Sequence, residues 1–203
     1  MQSGSLQELQ DAVAWLRVQP HPTKIVVAGN HGLLLDPSRD DKATGQTAAE
    51  REMIDWRDIV YLENAETTVV CANGWHLCIY GSPLSPRHGN WAFQYPRTQD
   101  VWAGTVPEGI DVLITHGPPR AHLDLLKMDC VHMLRELWRS RPRLHVFGRV
   151  HEGAGTEWLQ SSCAILALRV QRHLADQRNR NTYRPENHRL ATSYPVKQED
   201  DEY

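Results

Sequence analysis

The sequence predicts an α/β domain built on a mixed β-sheet, and three features lead there. Short apolar runs at residues 24–28, 111–115 and 143–147 lack the alternation of a half-exposed strand and suit strands buried on both faces. Between such runs lie segments whose apolar residues recur at threes and fours, as helices joining strands of one sheet would. One pair of β-rich runs is joined by Ala72-Asn73-Gly74. Asn-Gly favours a tight antiparallel hairpin because both residues tolerate positive φ, and that hairpin makes the sheet mixed.

The elements follow in order. Leu6, Leu9, Val13 and Leu16 stand at helical spacing, with Ser5 placed to cap the helix and Glu8 three residues on. Pro20 and Pro22 end it, and residues 24–28 form a strand stopped by Gly29. Residues 32–46 read as a polar loop. A second helix is expected around residues 47–60, with Met53, Ile54, Trp56 and Ile59 on its apolar side. Residues 67–71 and 75–80 form the hairpin, Gly81-Ser82-Pro83 ends it, and a loop rich in Pro, Gly and aromatics runs to about residue 105.

Residues 111–115 make the next strand, which stops at His116-Gly117-Pro118-Pro119. A long helix is expected over roughly 122–139, carried by Cys130, Met133, Leu134, Leu137 and Trp138. The run at 143–147 stops at Gly148, and residues 163–170 give one more strand. The domain is therefore expected to span residues 1–170. Residues 171–203 are polar, end in an acidic stretch, and have the composition of a disordered tail.

The 203 residues are 40% hydrophobic and 23% charged, as in ordinary globular proteins. A formal net charge of −3 gives no basic field of the kind a nucleic-acid binder uses. No apolar run approaches the ~18 residues of a membrane span, and the first residues have neither the cationic start nor the apolar core of a signal peptide. The expectation is a cytoplasmic protein. Cys71, Cys78, Cys130 and Cys163 are scattered without a CxxC pair, so reduced core thiols are expected rather than a cysteine-rich zinc site.

Three of the strands end in a Gly-bearing turn with a histidine at its mouth: Ala28-Gly29-Asn30-His31, Thr115-His116-Gly117 and Gly148-Arg149-Val150-His151. Ligand sites in open α/β sheets gather outside the carboxyl ends of strands, so these histidines are candidates to converge. Imidazole ligates metals and moves protons near neutral pH, and an asparagine oxygen is a neutral ligand. His145 lies inside a strand and is expected to be packed. His21, His76, His88, His122, His132, His173 and His188 have no such context.

At these residues the sequence resembles the calcineurin-like metallophosphoesterase family, in the branch of the metallophosphoesterase-domain brain proteins and their fungal relatives. Gly29-Asn30-His31 resembles that family's Gly-Asn-His, Thr115-His116-Gly117-Pro118-Pro119 its Thr-His-Gly-Pro-Pro, and Gly148-Arg149-Val150-His151 its Gly-His-x-His with the first histidine replaced. Ile79-Tyr80-Gly81-Ser82-Pro83 and Asn90-Trp91-Ala92-Phe93 are similar in order and spacing, and the likeness runs over roughly residues 2–160.

The resemblance implies a mixed β-sheet sandwich flanked by helices, and a phosphoesterase that hydrolyses phosphate mono- or diesters with divalent metal ions (Mn, Fe, Zn or Mg). It implies Asn30 and His116 as ligands of one metal, His151 as a ligand of another, and His31 as the catalytic group that stabilises charge or protonates the leaving oxygen. The small-molecule partner is a phosphate ester or nucleotide. The family's Asp-x-His and Gly-Asp signatures are absent, so the resemblance further implies a first strand missing and an impaired enzyme. Arg149 cannot ligate a metal, because a guanidinium has no lone pair to give. It is expected to pair with phosphate, together with His31. The alternative is a pseudoenzyme that binds a nucleotide or phosphate without hydrolysing it.

Overall fold

Ser5 heads the first helix, α1 (Leu6–Arg17), and its hydroxyl accepts from the Glu8 amide at 3.4 Å. The Glu8 carboxylate reaches back to the Gly4 amide, just before the cap, at 3.0 Å and ties the entering chain to the first turn. The computed structural model describes residues 4–40, 46–123, 130–150, 154–161 and 164–170. The expected tail at 171–203 lies outside the described residues.

After α1, strand β1 (Lys24–Val27) pairs in parallel with β2 (Ile59–Leu62), Lys24 opposite Ile59 and Val27 opposite Leu62. The connection holds two short 3-10 turns, Leu33–Leu35 and Pro37–Arg39, and the helix α2 (Gln46–Glu52). The helix expected over 47–60 therefore ends early. Arg57 takes a positive φ of 44°, which breaks any helix there, and the β-branched run from Ile59 joins β1 instead. The expectation that β1 is buried on both faces also fails, since all four of its residues are only half-buried. Among the described residues its one ladder partner is β2, so the edge opposite β2 carries no strand.

The hairpin is present as β3 (Ala65–Val70) and β4 (His76–Ser82), antiparallel and closed by Gly74 at φ 82°. Two short strands, β5 (Ser85–Pro86) and β6 (Gln94–Tyr95), pair in the following loop. Then come β7 (Val112–Thr115), α3 (Val131–Ser140), β8 (Leu144–Phe147), β9 (Thr156–Ser161) and β10 (Ala164–Val170). The large sheet runs in the order β3-β4-β7-β8-β10-β9, with β4, β7, β8 and β10 mutually parallel and both outer pairs antiparallel. β9 was not expected from sequence. α3 begins at Val131 rather than near residue 122, because Ala121 and Leu123 sit at positive φ and Cys130 caps the helix. Residues 124–129 and Cys163 lie outside the described residues.

The two sheets press together at one glycine. A Cβ on Gly81 of β4 would lie 2.6 Å from the Leu62 Cβ and 2.7 Å from the Val27 Cγ2, so only hydrogen fits. The period of two along a strand then turns Val26 and Ile59 the other way, toward α1, where they meet Leu9, Val13 and Ala28 in one apolar cluster. Tyr80, beside Gly81, likewise turns away and joins Leu113, Phe147, Met133 and Leu137 under α3. The layers run α1, small sheet, large sheet, α3: a mixed-sheet sandwich flanked by helices, as the resemblance implies. Among the described residues no helix is long and apolar enough to cross a membrane.

Candidate functional site

β7 and β8 are parallel neighbours, so their carboxyl ends lie side by side, and the Gly148 amide donates to the His116 carbonyl at 3.1 Å. The His116 amide is held by the Ser82 carbonyl at the end of β4, at 3.3 Å. β1 belongs to the other sheet, yet its end reaches the same place. A Cβ on Gly29 would fall 2.7 Å from the His116 Cε1, so the imidazole lies directly on the glycine backbone. That approach brings the Asn30 Oδ1 within 2.7 Å of the His116 Nε2, across 86 residues of chain. Two lone-pair atoms at this distance share a proton, which places an N–H on His116 Nε2 donating to the Asn30 oxygen.

His31, next in the turn, packs its ring 4.3 Å from that of Trp91, tilted by 40°. The loop carrying Trp91 is held from three sides. The Ala92 amide donates to the Asn30 carbonyl at 3.0 Å, the Phe93 amide to buried Asp36 at 2.7 Å, and Arg39 to the Trp91 carbonyl at 3.3 Å. Trp91 is thus a site residue that sequence reasoning missed. The Asn90-Trp91-Ala92-Phe93 stretch was noticed for its likeness alone, and nothing in its pattern points at His31.

Beneath His116 lies a buried relay. His145 is fully enclosed; its Nε2 and the Thr115 hydroxyl are 2.8 Å apart, and that hydroxyl is 2.8 Å from the Gly117 carbonyl. The carbonyl can only accept, so the hydroxyl donates to it and accepts from the Nε2–H of His145. Burial, then the charge of His122, pushes the His145 pKa down to about 3, which keeps the ring neutral. As expected it is packed; it braces the turn that presents His116. His122 also has a structural partner, Glu157 at 3.2 Å.

Arg149 adopts φ 67°, a left-handed conformation that a side chain other than glycine takes at some cost. Its Nη2 donates to the Pro86 carbonyl at 3.3 Å, while Nε and Nη1 are buried without an acceptor. Burial, then the charge of Arg97, holds its pKa below the usual guanidinium value. His151, expected as a metal ligand, lies outside the described residues.

The donor set fits a divalent ion in part. Asn30 oxygen and His116 Nε2 are suitable donors once the Nε2 proton that now joins them at 2.7 Å is given up to make way for an ion. Two donors fall short of the three or four an ion takes, and among the described residues no group of three or more His, Cys, Asp or Glu side chains is placed to hold one. A cavity of about 440 Å³ lies elsewhere, between the start of α1, Leu33, Arg39 and Glu50, and none of the strand-end residues lines it.

The chain matches no family model. It is 35% identical over 174 residues to metallophosphoesterase domain-containing protein 1 of Homo sapiens, an alignment covering 75% of this chain and 52% of the human protein. It is 31% identical over 185 residues to UPF0046 protein C25E10.12 of Caenorhabditis elegans, covering 82% of this chain and 61% of that one. A probable rhamnogalacturonate lyase C of Emericella nidulans is 41% identical over 181 residues, which is 88% of this chain but 17% of that protein. The chain thus spans about half the length of the human relative and a small part of the Emericella one.

Proposed function

Because this chain belongs to the calcineurin-like metallophosphoesterase family, we propose that its strand-end cluster binds phosphate mono- or diesters and hydrolyses them with a divalent metal ion. The observation that carries this reading is the meeting of Asn30 and His116 at 2.7 Å, from different sheets, with His31 next in the chain. A divalent ion, when bound, supplies Lewis-acid stabilisation of charge on the phosphoryl oxygens. Asn30 and His116 are the residues that would hold it. Mn, Fe, Zn and Mg all accept such a donor pair, with imidazole favouring the transition metals.

The chain's own part is positioning. Trp91 packs against the His31 ring and restrains it, and in this reading the imidazole would offer a hydrogen bond or a proton to the leaving oxygen. His145 and Thr115 keep the His116 turn from rotating. Proper orientation of such groups contributes orders of magnitude in rate.

Hydrolysis of a nitrophenyl phosphodiester by the purified chain with manganese tests the reading. We expect turnover that requires the metal and falls at least about 100-fold in His116→Ala. Turnover equal in the variant, or none from folded wild-type chain, removes the hydrolytic reading.

A further inference from the structure

We propose that Asn64 is a positioning residue of the strand-end cluster: through Ser82 it holds the His116 turn within reach of Asn30. Its meaning for catalysis rests on the hydrolytic reading of that cluster, while the hold itself is measured without any reaction. Asn64 stands two residues beyond the end of β2, and Asn30 three beyond the end of β1. The two strands are parallel, with Val27 opposite Leu62, so both asparagines leave the small sheet at the same end.

Each then crosses to the large sheet. Asn30 meets the His116 imidazole at 2.7 Å, and the Asn64 Oδ1 lies 2.6 Å from the hydroxyl of Ser82, the last residue of β4. An amide oxygen can only accept, so the Ser82 hydroxyl donates to Asn64 and accepts from the Leu84 amide at 3.4 Å. The Ser82 carbonyl holds the His116 amide at 3.3 Å. A single, fully buried serine thus carries both links: its side chain is tied to the small sheet and its backbone to the His116 turn.

The local conformation suits this use. Asn64 has φ 50°, in the left-handed region that asparagine, aspartate and glycine favour. Glycine would serve the turn alone. Asparagine also brings an oxygen, and that oxygen goes to a buried hydroxyl although the residue itself is exposed. The bridge lies just past the close contact between the sheets, because Ser82 and Asn64 follow Gly81 and Leu62 along their chains. Apolar contact at that seam is non-directional: it resists separation but not sliding. A slide at Ser82 would carry the His116 amide with it and weaken the bond to Asn30, which depends on distance and angle.

The test is nitrogen-15 spectroscopy of the His116 imidazole in excess chelator. It compares wild type, Asn64→Gly, Asn64→Asp, Ser82→Ala and the double variant carrying both Asn64→Gly and Ser82→Ala, each checked for fold by circular dichroism. Signals that vanish in His116→Gln identify the ring. Wild type should carry its proton on Nε2 and exchange it slowly with water. Asn64→Gly keeps the turn and removes the oxygen, so that exchange should quicken about fivefold, the equivalent of one hydrogen bond. Asn64→Asp keeps an acceptor and should stay near wild type. Ser82→Ala should match Asn64→Gly, and the double variant should add nothing to either. Unchanged exchange in folded Asn64→Gly, an Asn64→Asp variant that behaves as Asn64→Gly does, or fully additive effects in the double variant overturn the proposal. Nitrophenyl phosphodiester turnover with manganese is read in parallel: Asn64→Gly should lower kcat severalfold with KM little changed, and Asn64→Asp should keep it. Absence of turnover throughout, with the imidazole response intact, defeats the hydrolytic reading alone. Turnover present with an unmoved imidazole defeats this one alone.

Discussion

His145 is enclosed on every side, with its one N–H committed to Thr115. With a folded pKa near 3, against about 6.5 when unfolded, the ring takes up a proton on unfolding anywhere between those values. The unfolded chain then binds more protons than the folded one, so stability falls as pH drops from about 6.5 toward 3, by up to about 1.4 kcal/mol per unit from this group. His145→Gln, whose amide can still donate to Thr115, should flatten that slope. Urea unfolding of both proteins at pH 7 and pH 5 checks it, and equal slopes would rule it out. At this scale the sequence was readable where a residue's position on a strand decides its fate. His145 was expected to be packed, and the strand ends made His31, His116 and His151 candidates to converge, while the pairing of Asn30 with His116 came from the family resemblance. Trp91, Thr115 and the buried donors of Arg149 were not legible, since each depends on which distant backbone arrives beside it.

Helix α3 shows what an element needs beyond its apolar stripe. Glu136 lies on its buried side and spends its carboxylate on the Gly104 and Val106 amides, at 3.1 and 2.9 Å, and on Arg139 at 2.7 Å. Burial alone would raise its pKa, but the Arg139 hydrogen bond and those amides outweigh burial and hold it below the usual value. The depressed pKa means its contribution is present at neutral pH and is lost as pH falls through the folded value. Glu136→Gln should cost about 1–3 kcal/mol at pH 7, because the loop amides stay buried while a neutral amide, with one acceptor oxygen, replaces the carboxylate. Chemical denaturation measures this; no change would show that the 104–106 loop is held by packing alone. The hairpin and the strands at 24–28, 111–115, 143–147 and 163–170 were legible from composition and Asn-Gly, whereas β2, β5, β6 and β9 were not. The ends of α2 and the start of α3 were not, because apolar spacing continued through Trp56 and past Leu123 while the backbone turned at Arg57, Ala121 and Leu123.

For the whole molecule, the decisive contact is that between the sheets at Gly81. Gly81→Val would drive side-chain carbons into Leu62 and Val27 and should destabilise by about 1–3 kcal/mol or more, as overpacked cores do. It should also weaken the proposed metal-dependent turnover beyond the effect on stability, because Asn30 and His116 sit on opposite sides of that contact. Turnover per folded molecule unchanged in this variant would show that the strand ends meet independently of the sheet spacing. The layer order was legible only in outline: α/β with a mixed sheet. That β1 and β2 would form a separate small sheet, half-buried and pressed on β4, depends on side-chain volumes that no local pattern states.

The Asn30–His116 hydrogen bond joins points 86 residues apart and bridges two separately paired sheets. Such a bond closes a long loop, and its entropic cost is met only after both sheets have formed and docked. During refolding, far-ultraviolet ellipticity should therefore return before any ability to bind phosphate or metal. The proposed site is then completed only when the two sheets dock, so it would be a late product of folding.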